Sequence, residues 1–262
     1  MRSIRFHDKS ILRSVLEHNM DIVGKHIVIT GGASGIGLEL VGQLYEQNTI
    51  STFARPSPGL EKLKTTYNRV AVFETDFSDL KSVEQAADHL AKSGKKIDIL
   101  INNAAVQYTP HFIDEDFRYE TIKREIDVNF TSVCTLIYLL MPNMLQDNSS
   151  IIMNINSGLA LAPKSSSAVY CATKGALNIF SQSLGYQLEH TNIEVKQAFL
   201  PLVDTAMTTG RGRGKLTAQQ AATEIIRALS NSKSVSDIGK VKLLRFIHRL
   251  SPTLAYSIMK AG

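Results

Sequence analysis

This sequence has few cysteines, no long apolar segment and no cluster of metal-ligating residues. It has two cysteines among 262 residues, Cys134 and Cys171, and both lie within apolar helical patterns. Two such thiols do not make a disulfide framework, so we expect them to be reduced in a cytoplasmic protein. No apolar run is long enough to cross a bilayer, and no Cys/His cluster has metal-ligand spacing. We therefore expect neither a transmembrane helix nor a structural metal ion.

A strong charge imbalance is also absent. The net charge of +5 is mild and spread along the chain, so it does not favour nucleic acid as a partner, although it would help to attract an anionic cofactor. With 44% hydrophobic and 20% charged residues, the chain fits one large α/β domain. We place this domain at residues 24–262, after an extension, residues 1–23, that lacks the apolar core of a secretory signal. We assign no role to the extension.

The first clear motif is a glycine-rich turn between a strand and a helix. The apolar run Ile27–Ile29 predicts a buried strand, and residues 38–46 predict a helix. Between them, Gly31 permits a tight turn, Gly35 lets the backbone approach a pyrophosphate, and Gly37 allows close helix–strand packing. The helix N-terminus then offers free N–H groups to phosphates. An ordinary βα turn is the alternative, but the context favours a nucleotide site. Its predicted cofactor-binding residues are Thr30, Gly31, Ser34, Gly35, Ile36 and Gly37.

The end of the second predicted strand, residues 50–53, bears on the choice of cofactor. An acidic residue at this place would hydrogen-bond the adenosine ribose and repel a 2′-phosphate, whereas an arginine accommodates that phosphate. The chain has Ala54 and Arg55 here, which favours NADP over NAD. A solvated surface arginine before the turn at Pro56 is the competing interpretation.

Two further predicted strands, residues 70–73 and 97–101, end in polar or small residues. Asp76 could accept a hydrogen bond from an adenine amino group, or it could be a turn carboxylate before the helix at residues 80–93. Asn103 and Ala104 could lie against a cofactor, since small residues let the backbone come close, or they could form a plain turn.

A long helix is predicted over residues 115–146, with Asn129 in its middle, where asparagine has a poor helix propensity. The amide could orient a water near the catalytic lysine, or it could be a packing amide at a kink. The apolar faces of this helix and of residues 176–188 exceed what one subunit covers. They predict a homodimer or homotetramer.

The strongest chemical signal is Tyr170 with Lys174, preceded by Ser157 at the end of a predicted strand over residues 150–155. Four residues apart on a helix, the phenol and the ammonium share one face, and we expect the ammonium to lower the tyrosine pKa. Ser157 could hold a substrate oxygen beside the phenol. Together the three residues predict proton transfer to or from an alcohol or carbonyl. A chance pairing on a helix face is the alternative.

The remaining chain predicts a sixth strand at residues 193–199 and then a glycine-rich basic segment, residues 209–215. This segment suits a mobile lid over substrate, or a mere surface connection. A helix at residues 218–229 and a last strand at Val241–Leu244 are expected, followed by a basic helix around Pro252. Packing of that helix on the sheet or a partner subunit is preferred to contact with a membrane surface, which stays open. The substrate pocket is expected to include Leu159, Val106, Gln107 and Met207.

In order and spacing, these motifs resemble the short-chain dehydrogenase/reductase family, in its short single-domain branch. The match spans Thr30 to Gly37, Asn102 to Ala104, Asn129, Ser157 and the Tyr170/Lys174 pair. The resemblance implies a doubly wound parallel sheet of about seven strands with helices on both faces, a Rossmann fold. Residues 201–205 and 239–244 are similar to a bacterial branch that is named for its gene neighbours, and this name does not establish a substrate.

The resemblance also implies roles. Tyr170 would be the acid/base, Lys174 would hold the nicotinamide ribose and tune Tyr170, and Ser157 would orient the substrate oxygen. The other implied roles are a proton relay for Asn129, an adenine contact for Asp76, an adenosine-ribose contact for Asn103, and nicotinamide carboxamide contacts for Val203 and Thr205. Ala105 and Leu200-Pro201 depart from the usual glycine and Pro-Gly pair of the family.

We therefore expect an NADP-preferring oxidoreductase that transfers hydride between nicotinamide and a carbonyl or secondary alcohol. One rival is an isomerase or dehydratase on the same fold, although the short chain leaves no room for a large substrate domain. The other is a cofactor-sensing interaction protein, which would not need Ser157, Tyr170, Lys174 and Asn129.

Overall fold

A computed structural model describes residues 22–145 and 148–260 of the chain. Its centre is a seven-stranded sheet in which every neighbouring pair of strands is parallel. The predicted doubly wound parallel sheet is confirmed. The predicted extension, residues 1–23, lies almost wholly outside the described residues.

The strand order in the sheet is β3-β2-β1-β4-β5-β6-β9. The order reverses between β1 and β4, and a crevice opens at such a switch point, beyond the carboxyl ends of the strands. Strands β7 and β8 form a separate short parallel pair. The strands are β1 His26–Thr30, β2 Thr49–Ala54, β3 Ala71–Glu74, β4 Ile99–Asn102, β5 Ser150–Ser157, β6 Ile193–Leu200, β7 Val203–Asp204, β8 Leu216–Thr217 and β9 Val235–Asp237.

Helices cover both faces of the sheet. The helices are α1 Gly35–Leu44, α2 Pro58–Thr66, α3 Leu80–Ala91, α4 Glu120–Ile126, α5 Ser132–Met144, α6 Ala168–Gln187, α7 Ala218–Ser230, α8 Val241–Leu250 and α9 Pro252–Lys260. Successive residues of β1 point to opposite faces: Ile27 packs in a core with Leu40 of α1 and Ile225 of α7, whereas Val28 packs with Leu136 of α5 and Leu177 of α6. Both faces are buried, so the strand reads as a continuous apolar run.

The prediction of one long helix over residues 115–146 was wrong in two respects. The helix begins at Glu120, because the preceding polar residues form turns, for example the Phe117 N–H to Asp114 carbonyl bond of 3.0 Å. A π-helical turn, Asp127–Thr131, then separates α4 from α5, and it contains Asn129. Such turns occur often at functional sites.

The last predicted strand was also wrong. Val241 and Leu244 start helix α8, where their spacing of three residues puts both on its buried face, while Leu243 between them is 61% exposed. The seventh strand of the sheet is instead Val235–Asp237, which pairs with β6. Sequence reasoning missed this strand because it is short and half polar. It also missed α2, which Ser57 caps by accepting the Leu60 N–H at 3.2 Å.

Candidate active site

A crevice of about 1070 Å³ opens at the carboxyl edge of the sheet, between the glycine turn and the loops that follow β5 and β6. Most residues that the sequence singled out line it. They are Gly31, Ser34, Gly35, Ile36, Arg55, Asp76, Asn103, Ala104, Ser157, Tyr170, Lys174, Val203 and Thr205. Thr30, Gly37 and Asn129 do not line the crevice but hold parts of its wall in place.

The glycine turn is fixed to the end of β4 by hydrogen bonds from backbone and amide groups. Thr30 Oγ1 accepts the N–H groups of Asn103 and Ala104, both at 2.9 Å, and the Asn103 Nδ2 donates to the Thr30 carbonyl at 2.9 Å. A Cβ on Gly37 would collide with the Gly31 carbonyl oxygen and lie 2.8 Å from Asn103 Nδ2. Thr30 and Gly37 therefore act on the shape of the turn.

The turn itself presents backbone to the crevice. Gly31 has a φ of +74°, and a Cβ there would lie 3.1 Å from the Ala104 Cα. Ser34 precedes α1 in an extended conformation and makes no side-chain cap, so the first N–H groups of the ten-residue helix point at the crevice without a side-chain acceptor. This cradle suits the close approach of a phosphate.

Asp76 and Arg55 lie on the same side of the crevice as the glycine turn. Burial raises the pKa of Asp76, but hydrogen bonds from Ser78 N and Oγ to Oδ1, at 2.9 and 2.7 Å, and the charges of Arg124 and Arg55 outweigh it, so the net pKa is lowered. Asp76 is thus held as a carboxylate. Arg55 is exposed at the end of β2.

Sequence reasoning missed Arg124, which reaches the crevice from α4 with its Nε buried and unpartnered. No local motif marked it, because only the packing of α4 brings it there.

Tyr170 and Lys174 lie one turn apart on α6, as the spacing predicted. The Lys174 Nζ is 5.7 Å from the centre of the Tyr170 ring and donates to the Ile155 carbonyl at 2.9 Å. Lys174 is 5% exposed, and burial lowers its pKa to about 8. Ser157, at the end of β5, accepts the Leu159 N–H on its Oγ at 3.1 Å, which leaves the hydroxyl proton free to be donated.

The expected lowering of the Tyr170 pKa was wrong. Burial raises this pKa above its usual value, and the charges of Cys171 and Glu125 add to the effect. Arg211 and a hydrogen bond with Ser157 act in the opposite direction but do not outweigh burial. Lys174 does not lower it, because burial lowers the pKa of the lysine itself to about 8, so the amine has lost its charge before the phenol ionises.

Asn129 joins three segments through its side chain. Its Oδ1 accepts the Val106 N–H at 2.8 Å, and its Nδ2 donates to the Val106 carbonyl at 2.9 Å and to Thr173 Oγ1 at 3.3 Å. These contacts are those of a packing amide at a kink, and the role of the amide in orienting a water near the catalytic lysine stays a prediction. They fix the crevice wall at Val106 to helix α6.

Two charged groups lie near Tyr170: Glu125, which the sequence analysis missed, and Arg211, which belongs to the basic segment 209–215. Glu125 is buried, at 2% exposure, and accepts the Tyr108 N–H at 2.9 Å; burial raises its pKa to about 7. Arg211, in the loop between β7 and β8, donates from Nη1 to the Gln107 Oε1 at 2.8 Å. A buried carboxylate without a motif gives no signal in sequence, whereas the segment with Arg211 was noted as a possible lid over substrate, and Arg211 does line the crevice. In the described ranges, no helix is both long and apolar enough to span a membrane.

The sheet order, the crevice at its switch point and the glycine cradle place the chain among the doubly wound dinucleotide-binding proteins. A family model described as short chain dehydrogenase matches residues 25–216. The chain belongs to the short-chain dehydrogenase/reductase family, whose members are oxidoreductases.

Similar proteins agree with this membership. The chain is 32% identical over 189 residues to a Bacillus subtilis protein named "Uncharacterized oxidoreductase DltE", covering 72% of this chain and 75% of that protein. It is 26% identical over 252 residues to an Acinetobacter baylyi fatty acyl-CoA reductase, covering 92% and 85%. A Burkholderia cenocepacia short-chain dehydrogenase, solved in complex with NADP, shares the fold with a TM-score of 0.81 at 22% identity, covering 92% and 99%.

Proposed function

We propose that this protein is an NADP-preferring oxidoreductase that interconverts a carbonyl compound and a secondary alcohol, with Tyr170 as the acid/base. The observation that carries the proposal is the position of Tyr170, Ser157 and Lys174 in the same crevice that begins at the glycine turn. A proton donor and a cradle for a dinucleotide are the two protein parts that such a reaction needs.

The residues present fit a dinucleotide. Gly31 and Gly37 occupy positions where a Cβ would meet backbone, and the open N-terminus of α1 faces the crevice. The groups that would hold the cofactor are the turn at residues 30–37, Arg55, Asp76, Asn103, Ala104, Tyr170, Lys174, Val203 and Thr205. When bound, the nicotinamide supplies or accepts the hydride.

The chain itself supplies the proton. In the reductive direction, Tyr170 gives its hydroxyl proton to the substrate oxygen as that oxygen gains negative charge. Ser157 donates a hydrogen bond to the same oxygen, since its Oγ already accepts from Leu159 and its proton is free. A phenol is protonated at neutral pH and can donate; burial raises the Tyr170 pKa and so weakens it as an acid, and the transfer therefore depends on the negative charge that develops on the substrate oxygen.

Arg55 supports the preference for NADP. No carboxylate follows β2, where the chain has Ala54 and Arg55, so a 2′-phosphate would meet a cation. Solved structures of similar fold include an L-sorbose reductase complexed with NADPH and a 3-ketoacyl-(acyl-carrier-protein) reductase complexed with NADH. The fold thus serves both cofactors, and the choice depends on residues such as Arg55.

We further propose that the protein works in the cytoplasm as a homodimer or homotetramer. Large apolar side chains are exposed on α5 and α6, among them Tyr138, Ile179 and Tyr186. A second copy of these two helices would cover them.

The test is NADPH oxidation, followed by absorbance, against a panel of aldehydes and ketones, with NADH in parallel. We expect oxidation with at least one carbonyl compound and a higher kcat/KM with NADPH than with NADH. Conversion of substrate without net cofactor oxidation would instead indicate an isomerase or dehydratase. Cofactor binding without turnover of any carbonyl would indicate a cofactor-sensing protein.

A further inference from the structure

Two cations from separate loops line the crevice together with Tyr170. Lys164 comes from the loop between β5 and α6, and Arg211 from the loop between β7 and β8. Both line the crevice, and the positive charge of Arg211 acts to lower the Tyr170 pKa. Two loops distant in sequence therefore bring positive charge to one place.

Neither cation has an anionic partner among residues 22–145 and 148–260. Arg211 donates to the neutral amide of Gln107, and no carboxylate lies within ion-pair distance of Arg211 or Lys164. The crevice is lined by one acidic residue, Asp76, whose carboxylate is engaged by Ser78 on the glycine-turn side. Its lining cations are Arg55, Arg124, Lys164, Lys174, Arg211, Arg213 and Lys240.

Burial disfavours the charged forms of both groups, and the charge of Arg211 further disfavours that of Lys164. Lys164 is half-buried, and burial followed by the charge of Arg211 lowers its pKa. Burial likewise lowers the pKa of Arg211. A solvated surface lysine would show neither effect. An anion placed between the two groups would relieve their repulsion and form charge-assisted hydrogen bonds with both.

The crevice also has an apolar wall. Val241 and Leu244 of α8 and Met259 of α9 line it, together with Leu159 and Met207 from the two loops. A ligand that fills this part of the crevice would contact apolar side chains and two cations at once.

We infer that the substrate of this enzyme is an amphipathic anion: a carbonyl compound with an apolar body and a carboxylate or phosphate group that binds Lys164 and Arg211. The position of its carbonyl at Tyr170 rests on the proposed function. The binding of the anionic group to the two cations does not.

Binding can be measured without any turnover. The NADP⁺-saturated protein is titrated calorimetrically with octanoate, octyl phosphate and 1-octanol, which share one apolar chain. We expect octanoate or octyl phosphate to bind about tenfold or more tightly than 1-octanol, the strength of a charge-assisted hydrogen bond. The anion that binds more tightly shows whether the site prefers a carboxylate or a phosphate group.

Single substitutions assign the effect to the pair. Lys164→Gln and Arg211→Gln should each remove most of the anion's advantage, while Lys242→Gln, an exposed cation on α8 that does not line the crevice, should leave it unchanged. Both test residues lie in loops, so thermal unfolding should be near that of the parent. Equal affinity for the anions and the alcohol, or no measurable binding of either anion, would overturn the inference.

Activity separates this inference from the proposed function. NADPH oxidation is compared for 4-carboxybenzaldehyde and 4-methoxybenzaldehyde, and Arg211→Gln should raise the KM of the charged aldehyde about tenfold more than that of the neutral one. An equal fall in kcat on both would mean that Arg211 acts only through the Tyr170 pKa, which overturns the inference. Selective anion binding with no turnover of either aldehyde would sustain the anion site and count against the proposed function.

Discussion

The two ends of the crevice are built in different ways. At the nucleotide end, backbone groups form the surface, and hydrogen bonds such as those from Asn103 and Ala104 to Thr30 lock the glycine turn to β4. At the substrate end, side chains from two loops and from α8 and α9 form the surface. The nucleotide end is therefore formed by the sheet and its first turn, whereas the substrate end is formed by segments that pack against the sheet.

This difference separates the binding of a cofactor that many proteins share from the recognition of a substrate that differs between proteins. A pyrophosphate is the same in every dinucleotide, so a rigid cradle of strand ends and a helix N-terminus serves it well. A substrate differs from protein to protein, and loops tolerate the changes that its recognition needs. Lys164 and Arg211 belong to loops of this second kind.

The largest effect is expected at Tyr170, which lies between the nucleotide end and the substrate end of the crevice. Tyr170→Phe removes the proton donor and nothing else, because the ring remains on α6 beside Lys174. We expect kcat to fall about 100- to 10,000-fold with cofactor affinity nearly unchanged, since general acid catalysis has this magnitude. Steady-state kinetics and a cofactor titration measure the two quantities.

Tyr186→Phe is the matched control, because this tyrosine is 75% exposed on the same helix. It should behave as the parent. Retention of normal turnover by Tyr170→Phe would contradict the assignment of the acid/base.

The second test concerns the substrate end and uses pH. Burial raises the Glu125 pKa from 4.5 to about 7 in the folded protein. The folded chain therefore keeps a proton that the unfolded chain has lost between these values, so the parent loses stability as the pH rises through this window. Above about pH 7 the full penalty is roughly 3 kcal/mol.

Glu125→Gln removes that penalty and keeps an acceptor for the Tyr108 N–H. We expect the variant to gain up to roughly 3 kcal/mol in unfolding free energy at pH 8, and clearly less at pH 5. Urea unfolding at the two pH values measures the gain. Glu120→Gln, an exposed change on the same helix, should give none at either pH. A gain independent of pH would show that titration of Glu125 is not its cause.

The third test changes the glycine turn at the nucleotide end of the crevice. Gly37→Ala places a methyl group against the Gly31 carbonyl oxygen, so the turn must shift. A cost of about 1–3 kcal/mol, typical of overpacking, corresponds to a loss of cofactor affinity of about 5- to 150-fold if it falls on binding. Isothermal titration with NADPH measures it.

Gly185→Ala serves as control, because its Cβ would meet only the Val195 Cβ at 3.9 Å, an ordinary contact inside a helix. That variant should bind NADPH normally and gain about 0.5–1 kcal/mol in stability. Unchanged cofactor affinity in Gly37→Ala would mean that the turn is not part of the cofactor site.

The smallest effect is expected at Arg55. Arg55→Ala should lower the ratio of kcat/KM for NADPH to that for NADH about tenfold, the value of one charge-assisted contact with a 2′-phosphate. Lys62→Ala, an exposed cation on the neighbouring α2, should leave the ratio unchanged. A ratio that is the same in Arg55→Ala and in the parent would remove the basis for the NADP preference.

Comparison of particular elements shows how far sequence reasoning reaches. The strands β1, β4 and β5 were found because buried parallel strands are short apolar runs, and the glycine turn and the Tyr170/Lys174 pair were found because their spacing is local. Strand β9 was missed because a polar edge strand has no apolar run, and helix α8 was misassigned because Val241 with Leu243 fits the strand period while Val241 with Leu244 fits the helix period.

Asn129 shows the same limit within the site. Its position in the chain suggested a special role, but its contacts with Val106 and Thr173 depend on a π-helical turn and on the docking of α6. The direction of the Tyr170 pKa shift was wrong for a related reason. The sequence shows which charges are near in the chain, whereas burial depends on the whole fold.

The sequence by itself determined the parallel sheet, the glycine turn that opens the crevice, and the tyrosine one helical turn before a lysine, because each depends on residues that are neighbours in the chain. Only the tertiary structure decided that Arg211 and Glu125 lie near Tyr170, that Lys164 lines the same crevice and that Arg124 reaches it. These groups come from separate loops and helices. Their closeness, and the charge and burial that follow from it, exist only once the chain has folded.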